Sequence, residues 1–232
     1  MCNFYCNFAL GFSLRTLLLQ KAIMQRTDIK DNEYQDLLRK ILKIFLGKGL
    51  KSTTMDSVAA ELGMSKRTLY EIFDSKSEMI KEVLQHMERE NMKYVSDTFA
   101  ASENVMEAFI TIFKYNRDFI KSVNVDFYRD MDRLYKDKRK DFDKSRENHS
   151  EKLVQLFNLG VEQGMFRPDV DFYVQARIMG LQMEALKRVE ELFPPDITLQ
   201  RVFDAVMIGS LRSIASPKGM KILDKLTEEI NN

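Results

Sequence analysis

Residues 53–76, TTMDSVAAELGMSKRTLYEIFDSK, constrain the fold of this chain more than any other segment. Two short runs with helical spacing of apolar residues meet at Gly63, and glycine accepts the positive φ that a sharp turn between helices needs. Ala59, four residues before Gly63, is small enough to let the two helices approach closely. The segment is therefore predicted to form two helices around a turn, with a shared apolar seam of Val58, Leu62, Leu69, Ile72 and Phe73.

Capping patterns mark where these helices begin. Thr53 and Asp56 have the spacing of a capping box for the helix before Gly63. Ser65 can cap the next helix. Ser75 and Glu78 have the same capping-box spacing and are expected to open a long helix.

The rest of the chain also has a helical period, with hardly any segment alternating at period two. Nine glycines and four prolines among 232 residues permit long helices. A first helix is expected over 33–46, ended by Gly47 and Gly49, and a later one over 171–192. We predict an all-α protein of roughly nine or ten helices, in which an N-terminal three-helix domain precedes a larger helical body.

Three stretches are expected along the chain, 1–23, 24–80 and 81–232. The first is apolar, but nothing basic precedes its apolar run and Arg15 interrupts it, which is unlike a signal peptide. It is also too short and too polar for a spanning helix. We interpret it as a non-native or disordered extension ahead of the true start at Met24. A membrane or signal role and an ordered extra helix are the alternatives.

Net charge and the few cysteines and histidines limit the classes of function expected for the chain. The net charge is +1, so any contact with nucleic acid must come from a local basic cluster. The cysteines are Cys2 and Cys6 alone, and the histidines are His86 and His149, far apart in sequence. This suits a reducing cytoplasm and predicts no disulfide framework, no metal, no cofactor and no histidine-based active site. We expect no enzyme activity; a helical enzyme is the alternative that a turnover assay would test.

The start of the helix after Gly63 carries candidate DNA-binding side chains. In helix-turn-helix proteins this end of the recognition helix meets base edges, where Arg and Lys match guanine and Thr suits a base edge or a thymine methyl group. Helix N-termini also attract phosphate. The candidates are Thr54, Ser65, Lys66, Arg67, Thr68, Tyr70 and Lys76. The alternative is three ordinary capped surface helices with solvated charges.

The same segment carries a family resemblance. Its matching residues are Gly49, Thr53, Thr54, Met55, Val58, Ala59, Gly63, Met64, Ser65, Lys66, Thr68, Leu69, Tyr70, Phe73, Ser75 and Lys76. Over about residues 33–85 the chain resembles the N-terminal domain of the TetR/AcrR family of bacterial regulators. A later run, Gly164–Asp171, resembles the turn before the family's C-terminal dimerisation helices. One departure is Lys40-Ile41, where the family usually has two alanines. The other is the acidic Glu71, for which the alternatives are that it accepts from cytosine N4 or, as we expect, that it points away from DNA.

The resemblance implies a homodimer that binds a pseudo-palindromic DNA operator, usually as a repressor, and a larger domain for ligand binding and dimerisation. By the family pattern, Thr54, Tyr70 and Lys76 hold phosphates. Lys66, Arg67 and Thr68 lie nearest the bases.

Two helices of the body are candidates for the dimer contact, one from Tyr173 to Leu186 and one from Val202 to Leu211. Plausible residues of an effector pocket combine apolar walls with two polar side chains. They are Phe109, Phe113, Asn116, Phe127, Met131, Phe157, Met179, Gln182 and Met183. For both sets the alternative is ordinary core packing.

The leading hypothesis is a dimeric DNA-binding transcriptional regulator, released from its operator by a small hydrophobic ligand. The partners expected are double-stranded DNA, a second copy of the chain and an unknown small effector, without a membrane. A second hypothesis keeps the DNA binding but places it under the control of a protein partner or of no ligand.

Overall fold

The computed structural model describes residues 31–135 and 139–231. Within these ranges the chain forms eleven α-helices, one 3-10 turn at Leu186–Arg188 and no strand, with a single isolated bridge between Phe166 and Ala215. The helices are α1 Asp31–Lys48, α2 Met55–Leu62, α3 Lys66–Ile72, α4 Lys76–Ala101, α5 Val105–Ser122, α6 Val125–Tyr135, α7 Arg139–Glu162, α8 Phe172–Ala185, α9 Val189–Leu192, α10 Leu199–Ile214 and α11 Pro217–Asn231. The all-α prediction is confirmed.

One predicted helix is divided. The helix expected over 171–192 ends at Ala185, and the 3-10 turn leads into the short α9. Leu186 and Val189 are both buried. The two residues are three positions apart and lie on one helical face, so the apolar period continues through the turn although the regular α-helix does not.

The chain divides into two compact units. One comprises the described residues up to Asn91 together with Val123–Leu134, and the other comprises Met92–Ser122 and the chain from Tyr135 onwards. The division falls within α4. The domain boundary expected at residue 80 stays a prediction, and the extension expected over 1–23 lies outside the described residues.

The N-terminal unit is built on the apolar face of α1. Leu38, Ile41 and Phe45 are fully buried, and they belong to a core that also includes residues of α2, α3 and α4. Lys40 is exposed beside the buried Ile41. The pair that departs from the family pattern therefore supplies one core residue and one surface residue.

A buried histidine links α4 to α1. Nδ1 of His86 lies 2.7 Å from Oε1 of Gln35. Burial lowers the pKa of His86 below its ordinary value. The imidazole is therefore neutral near pH 7 and joins the two helices by a hydrogen bond between neutral groups.

Helix α6 closes the C-terminal end of α1. The backbone N–H of Asn124 donates to the carbonyl of Leu46 at 2.8 Å, and its Nδ2 donates to the carbonyl of Gly47 at 3.1 Å. Oδ2 of Asp130, on a largely buried side chain, accepts from the N–H of Lys51 at 2.6 Å. The segment between α1 and α2 is thus held by residues far along the chain.

The larger unit has an aromatic core between α5, α7 and the turn that follows α7. The ring centroids of Phe109 and Phe157 are 5.9 Å apart, and Phe157 meets Phe166 edge-on at 5.7 Å. Gly164 has φ of 72° in this turn, and the N–H of Arg167 donates to the carbonyl of Ile214. The turn thereby connects α7 with the end of α10.

Candidate nucleic-acid interface

The start of α2 is fixed by a reciprocal cap. Oγ1 of Thr54 accepts from the N–H of Ser57 at 3.1 Å, and Oγ of Ser57 accepts from the N–H of Thr54 at 2.9 Å. The expected pairing of Thr53 with Asp56 is wrong by one residue. Thr54 is the N-cap, while Thr53 is buried and its hydroxyl donates to the carbonyl of Gly49 at 2.6 Å.

Gly63 ends α2 in the left-handed conformation, as predicted, with φ of 67° and ψ of 26°. The N–H of Gly63 donates to the carbonyl of Ala60 at 3.2 Å, and the N–H of Met64 donates to that of Ala59 at 3.0 Å. These bonds satisfy carbonyls at the helix end and redirect the chain within two residues. The turn thus sets the direction of α3.

Helix α3 presents one buried and one exposed side. Ser65 caps it by accepting from the N–H of Thr68 at 3.0 Å, as predicted. Leu69 is fully buried. The exposed residues of the helix include Lys66, Arg67, Thr68, Tyr70 and Glu71. The first turn of α3 therefore offers polar side chains to solvent while its apolar side holds it against α2.

Both cations of this exposed side form ion pairs within the chain. Nζ of Lys66 lies 2.7 Å from Oδ1 of Asp56, at the start of α2, and Nε of Arg67 lies 2.9 Å from Oε1 of Glu71. The hydrogen bond to Asp56 raises the pKa of Lys66 above its ordinary value. Sequence reasoning did not predict either partner, Asp56 or Glu71; a spacing of four residues on a helix was the available signal for the second pair. The orientation of Glu71 relative to DNA stays a prediction.

Lys76 opens α4 and contacts the segment before α2. Its Nζ donates to the carbonyl of Lys51 at 3.0 Å. Ser75 caps α4 by accepting from the N–H of Glu78 at 3.2 Å, whereas the Glu78 carboxylate accepts from the N–H of Asp74, one residue before the partner that a capping box requires. The contacts of Lys66 and Lys76 bring the starts of α2, α3 and α4 together.

The candidate effector residues are divided between the two units. Phe127 and Met131 are buried in the N-terminal unit, and the other seven lie in the larger one. Of these seven, Gln182 is exposed and the other six are buried. Nδ2 of Asn116 donates to the carbonyl of Ile112 at 2.8 Å, and Oε1 of Gln182 accepts from Ser210 at 3.1 Å.

An open cleft of about 670 Å³ lies along the outer side of α10. Its wall includes Arg117 and Asp204, whose Nε and Oδ2 are 3.0 Å apart in a largely buried ion pair. The cleft also includes Ala205, Ile208 and Gly209, from the helix expected to contribute to a dimer. Among the described residues, no group of acidic, histidine or cysteine side chains is arranged to hold a metal, and no helix is both long and apolar enough to cross a membrane.

Comparison with known proteins finds a family model that matches the helix-turn-helix segment. Residues 37–83 match the family model described as bacterial regulatory proteins, tetR family. The HTH-type transcriptional repressor KstR2 of Mycobacterium tuberculosis is 29% identical over 140 residues, covering 59% of this chain and 70% of the repressor. KstR2 of Mycolicibacterium smegmatis is 28% identical over 140 residues, and the alignment covers 59% of this chain and 68% of the smegmatis repressor.

Solved structures share the fold. The ketosteroid transcriptional regulator KstR2 of Mycobacterium tuberculosis aligns with a TM-score of 0.51 and 23% identity, over 83% of this chain and 100% of its own. A TetR-family transcriptional regulator from Marinobacter aquaeolei VT8 aligns with a TM-score of 0.62 and 20% identity, over 87% of this chain and 98% of its own. Residues 37–83 therefore match the helix-turn-helix segment of the tetR family of bacterial regulatory proteins, and the chain shares the fold of the solved TetR-family regulators.

Proposed function

We propose that the protein is a homodimeric repressor that binds a pseudo-palindromic operator through α3 and leaves it when a small hydrophobic ligand binds. The observation that carries the DNA-binding role is the exposed row of Lys66, Arg67 and Thr68 in the first turn of α3. This turn is fixed by the Ser65 cap and by the burial of Leu69. A helix held by its neighbours in this way can place its N-terminal side chains against base edges in the major groove.

Contacts with phosphate are proposed at the starts of α2 and α4. The ammonium of Lys76 lies against the carbonyl of Lys51, close in sequence to Thr54 at the N-terminus of α2. A helix N-terminus and a nearby cation both favour a phosphate. Tyr70 is 44% exposed and can add a hydroxyl donor. In this role Thr54, Tyr70 and Lys76 position the protein, while Lys66, Arg67 and Thr68 read sequence.

An apolar strip on α8 supports the dimer. Tyr173, Val174, Ile178 and Leu181 are exposed and recur with the spacing of one helical face. Helix α10, which packs beside α8, exposes Ala205 and Gly209. A twofold partner placing the same two helices against this strip would bury it. Such a dimer would carry two copies of α3 to two half-sites about 34–36 Å apart.

The effector role rests on the aromatic and methionine-rich core of the larger unit. Phe113 stacks on Phe203 with ring centroids 5.5 Å apart, and Met179 and Met183 are buried. Apolar side chains of this kind, especially methionine, can repack around a hydrophobic ligand. Because the similar solved structures include a ketosteroid regulator and a proposed fatty acid metabolism regulator, steroids and long-chain fatty acids are suitable first probes. Action on chromosomal DNA would place the protein in the cytoplasm.

The test begins with selection of DNA from a random pool by the purified full chain, followed by footprinting. The proposal predicts one enriched site with two inverted half-sites about one helical turn apart. Recovery of no preferred sequence would overturn the proposal. The steroid and fatty acid probes are then titrated against the bound operator. Operator binding that responds instead to a protein partner would favour the second hypothesis over ligand release.

A further inference from the structure

Arg67, which is proposed above to contact a base, forms an ion pair with Glu71 of the same helix. Its Nε lies 2.9 Å from Oε1 of Glu71, one helical turn later. The side chains of Arg67 and Glu71 are 90% and 60% exposed. An exposed pair of this spacing contributes only about 0.3–0.5 kcal/mol to stability, so folding gives little reason for a carboxylate on this surface.

A carboxylate here also opposes general DNA binding. Non-specific affinity comes almost entirely from cations that neutralise phosphates. Glu71 adds a negative charge to the exposed side of α3 and occupies one of its two basic side chains. Both effects weaken contact with any phosphate backbone, whatever the sequence of the DNA.

The geometry of the pair leaves base reading possible. Glu71 binds Nε of Arg67, and a bidentate contact with guanine O6 and N7 can be made by the two terminal nitrogens, Nη1 and Nη2. The pair can therefore persist in an operator complex and fix the plane of the guanidinium. A phosphate bound by the same two nitrogens would lie near the Glu71 carboxylate, and the two negative charges would repel, whereas a base edge carries no net charge.

We propose that Glu71 is a specificity-determining residue of the DNA interface, which positions Arg67 for a base edge and penalises its use on phosphates. This inference rests on the proposed function. It makes Glu71 a positioning residue that acts through Arg67, and it gives a role to the acidic residue that departs from the expected basic surface.

The experiment measures affinity of the full chain for the selected operator and for random duplex DNA across a salt series, with Glu71→Gln. The specificity ratio, which is operator affinity divided by random-DNA affinity, is expected to fall about 3- to 10-fold in this variant. The main cause is a rise in random-DNA affinity. The salt slope on random DNA should steepen by about one unit, because Arg67 can then neutralise a further phosphate.

Glu61→Gln is the matched control. Glu61 lies in α2 of the same unit and pairs with Lys48 at 2.8 Å, so the variant removes the same charge from another exposed ion pair. Its specificity ratio and salt slope should remain those of the wild type. An equal change in Glu61→Gln would overturn the proposal, because general charge would then explain the result.

A double-mutant cycle with Arg67→Ala tests whether Glu71 acts through Arg67. If Glu71 acts through Arg67, Glu71→Gln should not change the specificity ratio further in the Arg67→Ala background. A full effect of Glu71→Gln in that background, or no effect in the wild type, would overturn the inference. A wild-type protein that prefers no sequence would refute the proposed function itself, and is distinguished from these outcomes by the first titration.

Discussion

Gly63 has φ of 67° at the junction of α2 and α3, and a Cβ built there would meet no atom within 4 Å. The glycine is therefore required by backbone conformation and not by lack of space. This separates it from Gly49, whose φ is 82° and whose built Cβ would lie 3.2 Å from Cβ of Asp126. At Gly63 the cost of a side chain is the cost of the left-handed conformation alone.

Gly63→Ala should lower the free energy of unfolding by about 1–2 kcal/mol, the cost of the left-handed region for a residue with Cβ. Urea unfolding followed by circular dichroism measures it. Gly47→Ala is the control, because Gly47 also has open space around it but lies within helix α1. That change should stabilise the protein by up to about 1 kcal/mol. The same sign for both variants would contradict this account of the turn.

The elements of the N-terminal unit are joined by contacts that are distant in sequence. Asp130 of α6 accepts from the N–H of Lys51, and the carbonyl of Lys51 accepts from Lys76. The backbone N–H of Lys51 is thus bound by a side chain of α6, and its carbonyl is bound by a side chain of α4. This arrangement holds the segment that leads from α1 into α2.

Asp130→Ala should remove the acceptor for the Lys51 amide and lower the free energy of unfolding by about 1–3 kcal/mol. The exchange of the Lys51 amide hydrogen should become faster. Asp130→Asn retains an acceptor oxygen and should have a smaller effect on both measurements. Unchanged exchange at Lys51 in Asp130→Ala would show that this bond does not hold the segment.

Local patterns in the sequence predicted the elements better than the contacts between them. The helical period, the Ser65 cap and the Gly63 turn depend on neighbouring residues, and all three are confirmed. Adjacent threonines at 53 and 54 satisfy the same capping rule, and only burial of Thr53 decides between them. The contact of Asp130 with Lys51 spans 79 residues and carries no local signal.

The sequence alone also could not distinguish residues of an effector pocket from ordinary core residues. Phenylalanine and methionine have the same pattern whether they pack together or surround a ligand. Phe109 and Phe157 are buried against one another, while Gln182 is exposed. Their assignment to a pocket stays a prediction.

At the scale of the whole molecule, reading a pseudo-palindromic operator requires two copies of α3. Leu181 is 66% exposed on α8, within the apolar strip proposed as the dimer contact. Leu181→Glu should leave the protomer folded, because the side chain has few neighbours in its own chain. The charge would be buried without a partner in the dimer, which is unfavourable.

Sedimentation of Leu181→Glu should therefore show a monomer with an unchanged helical spectrum, and operator affinity should fall by more than about tenfold because two half-sites are no longer bound together. Leu159→Glu is the control, since Leu159 is 40% exposed on α7, outside the proposed strip. A Leu181→Glu protein that sediments as a dimer would exclude this face as the contact.

The central claim is that the first turn of α3 reads DNA sequence. Titration of wild type and Arg67→Ala against the selected operator and random DNA tests it most directly. Arg39→Ala is the control for loss of a cation, because Arg39 is an exposed residue of α1 that pairs with Asp36 and Glu90. Arg67→Ala should lower operator affinity about 5- to 150-fold, the value of a bidentate base contact, and random-DNA affinity much less. An equal loss on both DNAs, or no loss on the operator, would contradict the account.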